Sequence, residues 1–255
     1  MSDLSHYLLH LADNALILGQ RNAEWCGHGP ILEEDLAMAN QSLDLIGQAR
    51  LLYPLVSELR QDQSTEDTLA YFRDADAFLN FTLLELPHHT ALVPSARANR
   101  DYAVTIVRNF LFSSYMGWVW QALQAHDHPT LAAMAVKSLK ETRYHLQHSA
   151  DWLCRFGDGT EESHARAQAA LDFLMPYTQE WWSDSVMNLS VIPQHKDLES
   201  LWQKQVLEVV NQAGLVMPSD RGHLTQGILG VHSEHMTYLL AEMQSLARMH
   251  PGAQW

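Results

Sequence analysis

The stretch YAVTIVRNFLFSSYMGWVWQALQAH, residues 102–126, decides the fold class. It contains no proline, no acid and a single glycine, Gly117, and aromatic side chains recur at Phe110, Phe112, Tyr115, Trp118 and Trp120. A run this long without a breaker predicts a helix, inside a segment spanning 95–126. It does not predict a membrane span. Its most apolar part, Thr105 to Leu123, is interrupted by Arg108, Asn109, Ser113, Ser114 and Gln121, whereas a bilayer helix needs roughly 18 apolar residues in a row.

Working outward, the neighbouring segments carry the same signature. Pro129 opens a helix that continues to Phe156 and stops at Gly157-Asp158-Gly159. Segment 4–22 places Leu4, Leu8, Leu11, Ala15 and Leu18 on one face. Segment 31–60 follows Pro30, has Glu33, Glu34 and Asp35 in its first turn, and carries an apolar stripe of Leu36, Ala39, Leu43, Ile46 and Ala49. Pro54 is expected to kink it or end it early. Thr65-Glu66-Asp67 opens a segment expected to run to Leu86, where Pro87 ends it. Segments 162–187, 197–213 and 224–249 complete the set, the first split or kinked at Pro176. Val191-Ile192 and Leu215-Val216-Met217 are too short to read as strands. With no repeat, low-complexity run or flexible linker, the expectation is an all-α bundle of seven or eight helices in a single domain, 1–255.

The charge balance narrows the partners. Sixteen Lys and Arg oppose thirty Asp and Glu, a net charge of −14, which repels phosphate backbones and argues against nucleic acid. Apolar residues make up 47%, enough for a packed core. The two cysteines, Cys26 and Cys154, cannot build a disulfide framework, and the chain starts Met1-Ser2-Asp3 with no basic leader. A reducing cytoplasm is the simple reading.

Long-helix bundles can hold two metal ions between a carboxylate on each of two helices and a Glu-x-x-His pair on each of the other two, because positions three apart share one face. Fifteen histidines are available, so placement decides. The acid-then-His pairs at that spacing are Asp3/His6 at the N-terminus, Glu85/His88 astride Pro87, Glu161/His164 at a helix start, and Asp220/His223 in a loop. None lies within a long helix. In Lys140-Glu141-Thr142-Arg143-Tyr144-His145, Tyr144 stands where the histidine belongs and His145 comes one residue late. Glu141 and His145 can still meet across four positions, as a structural hydrogen-bonded pair or as part of an atypical ligand set. Segment 31–60 offers Asn40, Asp44 and Gln48 on its inner side, with Gly47 three residues beyond Asp44, and no His. From Tyr102 through His126 there is no acid at all, although a carboxylate-bridged metal pair needs one. Arg108 is the charge in the middle of that helix. It is either a cation in a vacated metal pocket, compensating Asp13, Asp44 or Glu141, or a snorkelling surface arginine.

Other chemistry is weaker. There is no Gly-rich phosphate loop and no Gly-x-Ser-x-Gly elbow. A Cys26–His28 nucleophilic pair is conceivable, but a loop cysteine is usually structural. Lys137, Lys140 and Arg143 form a small basic strip, read as a solvated face.

Several separated segments resemble one family. They are Glu24-Trp25-Cys26-Gly27-His28-Gly29-Pro30, Leu36-Ala37-Met38-Ala39-Asn40, Leu43-Asp44-Leu45-Ile46-Gly47-Gln48-Ala49-Arg50, Lys140 through His145, Glu234-His235, Ala241-Glu242-Met243-Gln244 and Pro251-Gly252-Ala253-Gln254-Trp255. Together they are similar to the PaaC-type subunits of bacterial phenylacetyl-CoA epoxidases. The resemblance spans the chain and implies a ferritin-like helical bundle with additional helices. It implies a structural, non-catalytic role beside a related catalytic subunit, PaaA, which carries a di-iron centre and with O₂ epoxidises the ring of phenylacetyl-CoA, with electrons from a separate reductase. On that reading this chain holds no catalytic, cofactor or metal residue of its own. Asp13, Asp44, Arg108, Glu141, Tyr144 and His145 are the candidates for a vestigial metal pocket. The expected partners are the PaaA-like subunit and the other subunits of the complex, with a homodimer when isolated. The alternatives are a metal-dependent oxygenase built around Glu141 and His145, or a free-standing coenzyme-A-binding helical module.

Overall fold

The structure, a computed structural model, describes residues 3–92, 99–189, 191–192, 195–219 and 222–253. Among them there is no strand, only an isolated bridge between Gln226 and Val231. The described residues form ten α-helices, and the fold is the all-α, ferritin-like bundle with additional helices. The chain divides into two compact units. The first is Met1–Leu86, Asn188–Val191 and Thr225–Trp255; the second is Pro87–Met187 and Ile192–Leu224.

In the first unit, α1 (Asp3–Ala23) lies along α2 (Leu32–Arg60). The predicted inner face of α1 is buried at Leu8, Leu11, Ala15 and Leu18. Glycine at position 19 lets the helices close up, since a Cβ there would press on Ile46 and Leu45 at 3.1 and 3.3 Å. α2 runs through Pro54 to Arg60 instead of ending early. Its stripe also differs from expectation. Leu36 and Leu43 are 55% and 67% exposed and Leu32 is 72% exposed, while Gln41, Ser42 and Gln48 are buried beside Met38, Leu45, Ala49 and Leu52. Helical spacing finds an apolar stripe but not what covers it.

The segment expected as one helix from Thr65 to Leu86 is broken. Thr65 does cap α3 (Glu66–Tyr71), with the Thr68 hydroxyl accepting in return from the Thr65 amide at 2.7 Å. A 3-10 turn (Ala75–Ala77) and the single-turn α4 (Thr82–Glu85) follow. The chain returns to this unit with α10 (Glu234–Met249), which packs on α1, α3 and α4 and starts ten residues later than segment 224–249 suggested.

The second unit is built on α5 (Tyr102–Leu123), which lies along α6 (Pro129–Gly157) and also touches α7 (Glu161–Leu174) and α9 (His195–Gln212). Positions 95–98, expected to start α5, lie outside the described residues. α5 is buried nearly all round, consistent with a sequence carrying one charge between Tyr102 and Leu123. At Met175-Pro176 the chain passes from α-helix into a 3-10 run, Met175–Trp182, where Pro176 removes a donor, and the short α8 (Asp184–Leu189) follows.

Candidate functional site

The polar positions that a di-metal bundle would use for ligands fall in two places, one in each unit. On α1, His10, Asp13 and Asn14 share a face at helical spacing. All three are buried, and each meets the extended segment 79–81. His10 Nδ1 donates to the Leu79 carbonyl at 2.6 Å, which leaves its Nε2 to accept from Asn14 Nδ2 at 3.1 Å. Asp13 Oδ2 accepts from the Leu79 amide at 2.9 Å, and Asn14 Oδ1 from the Phe81 amide at 2.8 Å. A chain segment without helix of its own has backbone groups to satisfy, and these side chains satisfy them.

Asp13 also meets a cation that helical spacing does not point to. Arg73 holds it with both terminal nitrogens, Nη1 at 3.0 Å from Oδ2 and Nη2 on Oδ1, and Tyr53 donates to Oδ1 at 2.8 Å. The guanidinium lies over the Phe78 ring, 4.0 Å from its centroid. Burial alone would lower the Arg73 pKa, but the Asp13 carboxylate overrides it and holds it above the ordinary value. Burial, with the Asp13 charge beside it, pushes the Tyr53 phenol well above its ordinary value. Asp44 belongs to the same unit, half-buried on α2. Asn40, read as inward, is exposed; Gln48 is inward as read.

In the second unit, α5 uses the same device on residues 87–88. Thr105 Oγ1 is 2.6 Å from His88 Nδ1, and Arg108 Nη2 donates to the Pro87 carbonyl at 2.6 Å. Arg108 is fully buried, so the snorkelling reading does not hold. On α6, His145 is buried, Glu141 is half-buried and Tyr144, at the position a ligating histidine would take, is 56% exposed. Lys137 Nζ reaches Glu141 Oε1 at 3.6 Å. The basic strip Lys137, Lys140 and Arg143 is exposed, as read.

Of the other acid-then-His pairs, Glu85 and His88 are both buried but bond elsewhere, His88 to Thr105 and Glu85 to His232 Nδ1 at 2.6 Å. His164 Nδ1 bonds the Gly157 carbonyl. Asp220 and the side chain of Asp3 lie outside the described residues. Cys26 is exposed, and His28 Nδ1 bonds its carbonyl oxygen, 3.1 Å away. Among the described residues, no three His, Cys, Asp or Glu side chains converge as a metal site would require. Among the described residues, the His, Asp and Glu side chains thus do not assemble the ligand set of a di-iron bundle. No helix among them is long and apolar enough to cross a membrane.

Comparison with known proteins gives these findings a frame. The phenylacetic acid catabolic protein family matches residues 1–255. The C subunit of 1,2-phenylacetyl-CoA epoxidase from Escherichia coli K12 is 38% identical over 260 residues, covering 100% of both chains.

Proposed function

Since this chain belongs to the phenylacetic acid catabolic protein family, we propose that it is the structural subunit of an epoxidase acting on phenylacetyl-CoA in the cytoplasm. It pairs with a homologous catalytic subunit of the PaaA type. The di-iron centre belongs to that partner, along with the oxygen chemistry; this chain contributes no ligand. Its own role is to present a rigid helical surface that fixes the partner's fold.

The observation that carries the reading is the inverted face of α2. Leu32, Leu36 and Leu43 point outward in one stripe while Gln41, Ser42 and Gln48 are buried. Exposed leucines in register along one helix mark a surface covered in the assembled protein. The polar faces of α1 and α5 support the non-catalytic role, because their donors and acceptors hold loop backbone.

The test is co-expression with the neighbouring epoxidase subunits, followed by metal analysis of each separated chain. Iron is expected with the partner and not with this chain. A Leu36→Glu/Leu43→Glu chain is expected to fold with unchanged helix content, to lose the partner on gel filtration, and to lose the homodimer that the wild-type chain forms alone. About two irons per isolated chain, or full assembly of the double variant, would overturn the proposal.

A further inference from the structure

We infer that Glu85 and His232 form a buried carboxylate–imidazolium pair that latches the segment leading into α10, and that loss of one proton from it opens the latch. Both side chains are nearly free of solvent, 0% and 4% exposed. The imidazole lies between two acceptors: Nδ1 is 2.6 Å from Glu85 Oε2, and Nε2 is 3.0 Å from the Phe78 carbonyl oxygen. A carbonyl oxygen only accepts, so Nε2 carries a hydrogen.

Nδ1 carries one too if the carboxylate is ionised, the form that accepts most readily from the donors around it. The Ser233 amide donates to Oε1 at 2.6 Å and Asn80 Nδ2 to Oε2 at 2.9 Å. A proton on either oxygen would take up acceptor capacity that these donors use. On this assignment the ring is doubly protonated, and the pair is internally neutral.

The surrounding charges agree. Arg21 on α1 donates from Nη2 to the Glu85 backbone oxygen at 2.5 Å, but its Nη1 is engaged by Glu24 at 2.5 Å. Arg21 is thus paired with Glu24, and its charge also acts on Glu85, where a nearby cation favours the ionised carboxylate. Other titratable groups on elements packed here are His10 and Asp13 on α1, which bond the Leu79 backbone, Arg73, which donates to the Ala77 carbonyl, and Glu234, His235 and Glu242 on α10. From the 3-10 turn before α4, Asp76 brings its carbonyl against Gly230, which is left-handed at φ 77° and where a Cβ would overlap it.

The pair fastens the turn 225–233 to the segment 76–85. Ser233 precedes the first turn of α10 without capping it through its side chain, and its amide goes to Glu85 instead. Remove one proton from the ring and a nitrogen lone pair must face either the carboxylate or the Phe78 carbonyl. Either contact turns repulsive in a site with little water to screen it. The turn then separates from α4, and the first turn of α10 loosens with it.

The experiment uses the full chain labelled with ¹⁵N-histidine. The His232 signals are assigned by their loss in His232→Gln. At pH 7.5 both ring nitrogens are expected to be protonated, and in Glu85→Gln the ring is expected to become a neutral single tautomer. Amide hydrogen exchange across 226–240, taken as a ratio to that of α5, is expected to rise with pH once the second proton leaves. A neutral His232 in folded wild-type protein at pH 7.5 would overturn the charge assignment, whether or not the variants fold. An exchange ratio unchanged through deprotonation would overturn the latch.

Discussion

Tyr53 on α2 donates its hydroxyl hydrogen to Asp13 on α1 across 2.8 Å, with the Arg73 guanidinium closing the triad from the loop after α3. Asp13 is fully buried and the Arg73 side chain is 13% exposed. Breaking a buried pair by removing one partner leaves an uncompensated charge, which typically costs about 3–5 kcal/mol. Asp13→Ala is therefore expected to lower unfolding stability by that amount in urea titrations. Arg50→Ala, which breaks the exposed Arg50–Glu66 pair at 3.1 Å, is expected to change it by about 0–1 kcal/mol. Equal effects of the two substitutions would contradict the assignment of the triad as the charge core of this unit.

The same triad sets an alkaline limit. Burial first, and the Asp13 charge second, raise the Tyr53 pKa well above its ordinary value, against the opposing pull of Arg73. The native state thus favours the neutral phenol. Its contribution is complete below the unfolded value of about 10 and is lost as pH rises towards the folded one. In an absorbance titration of the folded chain, at least one of the eight tyrosines is expected to ionise only with unfolding. All eight titrating normally in folded protein would refute this.

How much of this was written in the sequence depends on the kind of contact. α1, α2, α6 and α9 were legible because each is a long periodic run with a start signal or a stop signal, such as Pro129 and Gly157 around α6. The stretch 65–86 was not, because its order comes from distant side chains on α1 that capture residues 79–81. The sequence singled out Asp13 but not His10 and Asn14 beside it on the same face, and nothing local marks Arg73, sixty positions from Asp13, as its counter-ion. Leu36 and Leu43 failed for a different reason. An exposed apolar stripe has the same period as one that faces a core, and the buried Gln41 and Gln48 beside it carry no signal of their own.

Close packing in the second unit gives a purely steric prediction. Gly157 ends α6 directly against the Ala213 carbonyl at the end of α9, and a Cβ there would overlap that oxygen. The neighbour is backbone and cannot rotate away. Gly157→Ala is expected to cost about 1–3 kcal/mol, as overpacking typically does, despite the better helix propensity of alanine. Gly117→Ala on α5, where a Cβ meets nothing within 4 Å, serves as the control and is expected to be neutral or mildly stabilising. Thermal denaturation of the two variants side by side decides the matter; a Gly157→Ala chain as stable as wild type would mean that α6 and α9 do not meet there.

His195 supplies the acid-side counterpart. It begins α9, is 4% exposed, and sits among Tyr115, Trp181 and Trp182, with Nε2 3.2 Å from the Tyr115 hydroxyl. Among the described residues no carboxylate is bonded to it, so charging the ring gains nothing against desolvation, and burial lowers its pKa from 6.5 to about 4. The folded value lies below the unfolded one, so the native state favours the neutral ring. The resulting stability is complete above about pH 6.5 and is lost as pH falls towards 4. The difference of 6.5 − 4 corresponds to about 3 kcal/mol at most, at 1.36 kcal/mol per pH unit. His195→Phe keeps the aromatic packing and removes the proton site. Its unfolding free energy is expected to fall less steeply than wild type between pH 6.5 and 4 and to run parallel to it above about pH 7. Parallel curves over the whole range would show that His195 does not titrate differently in the folded chain.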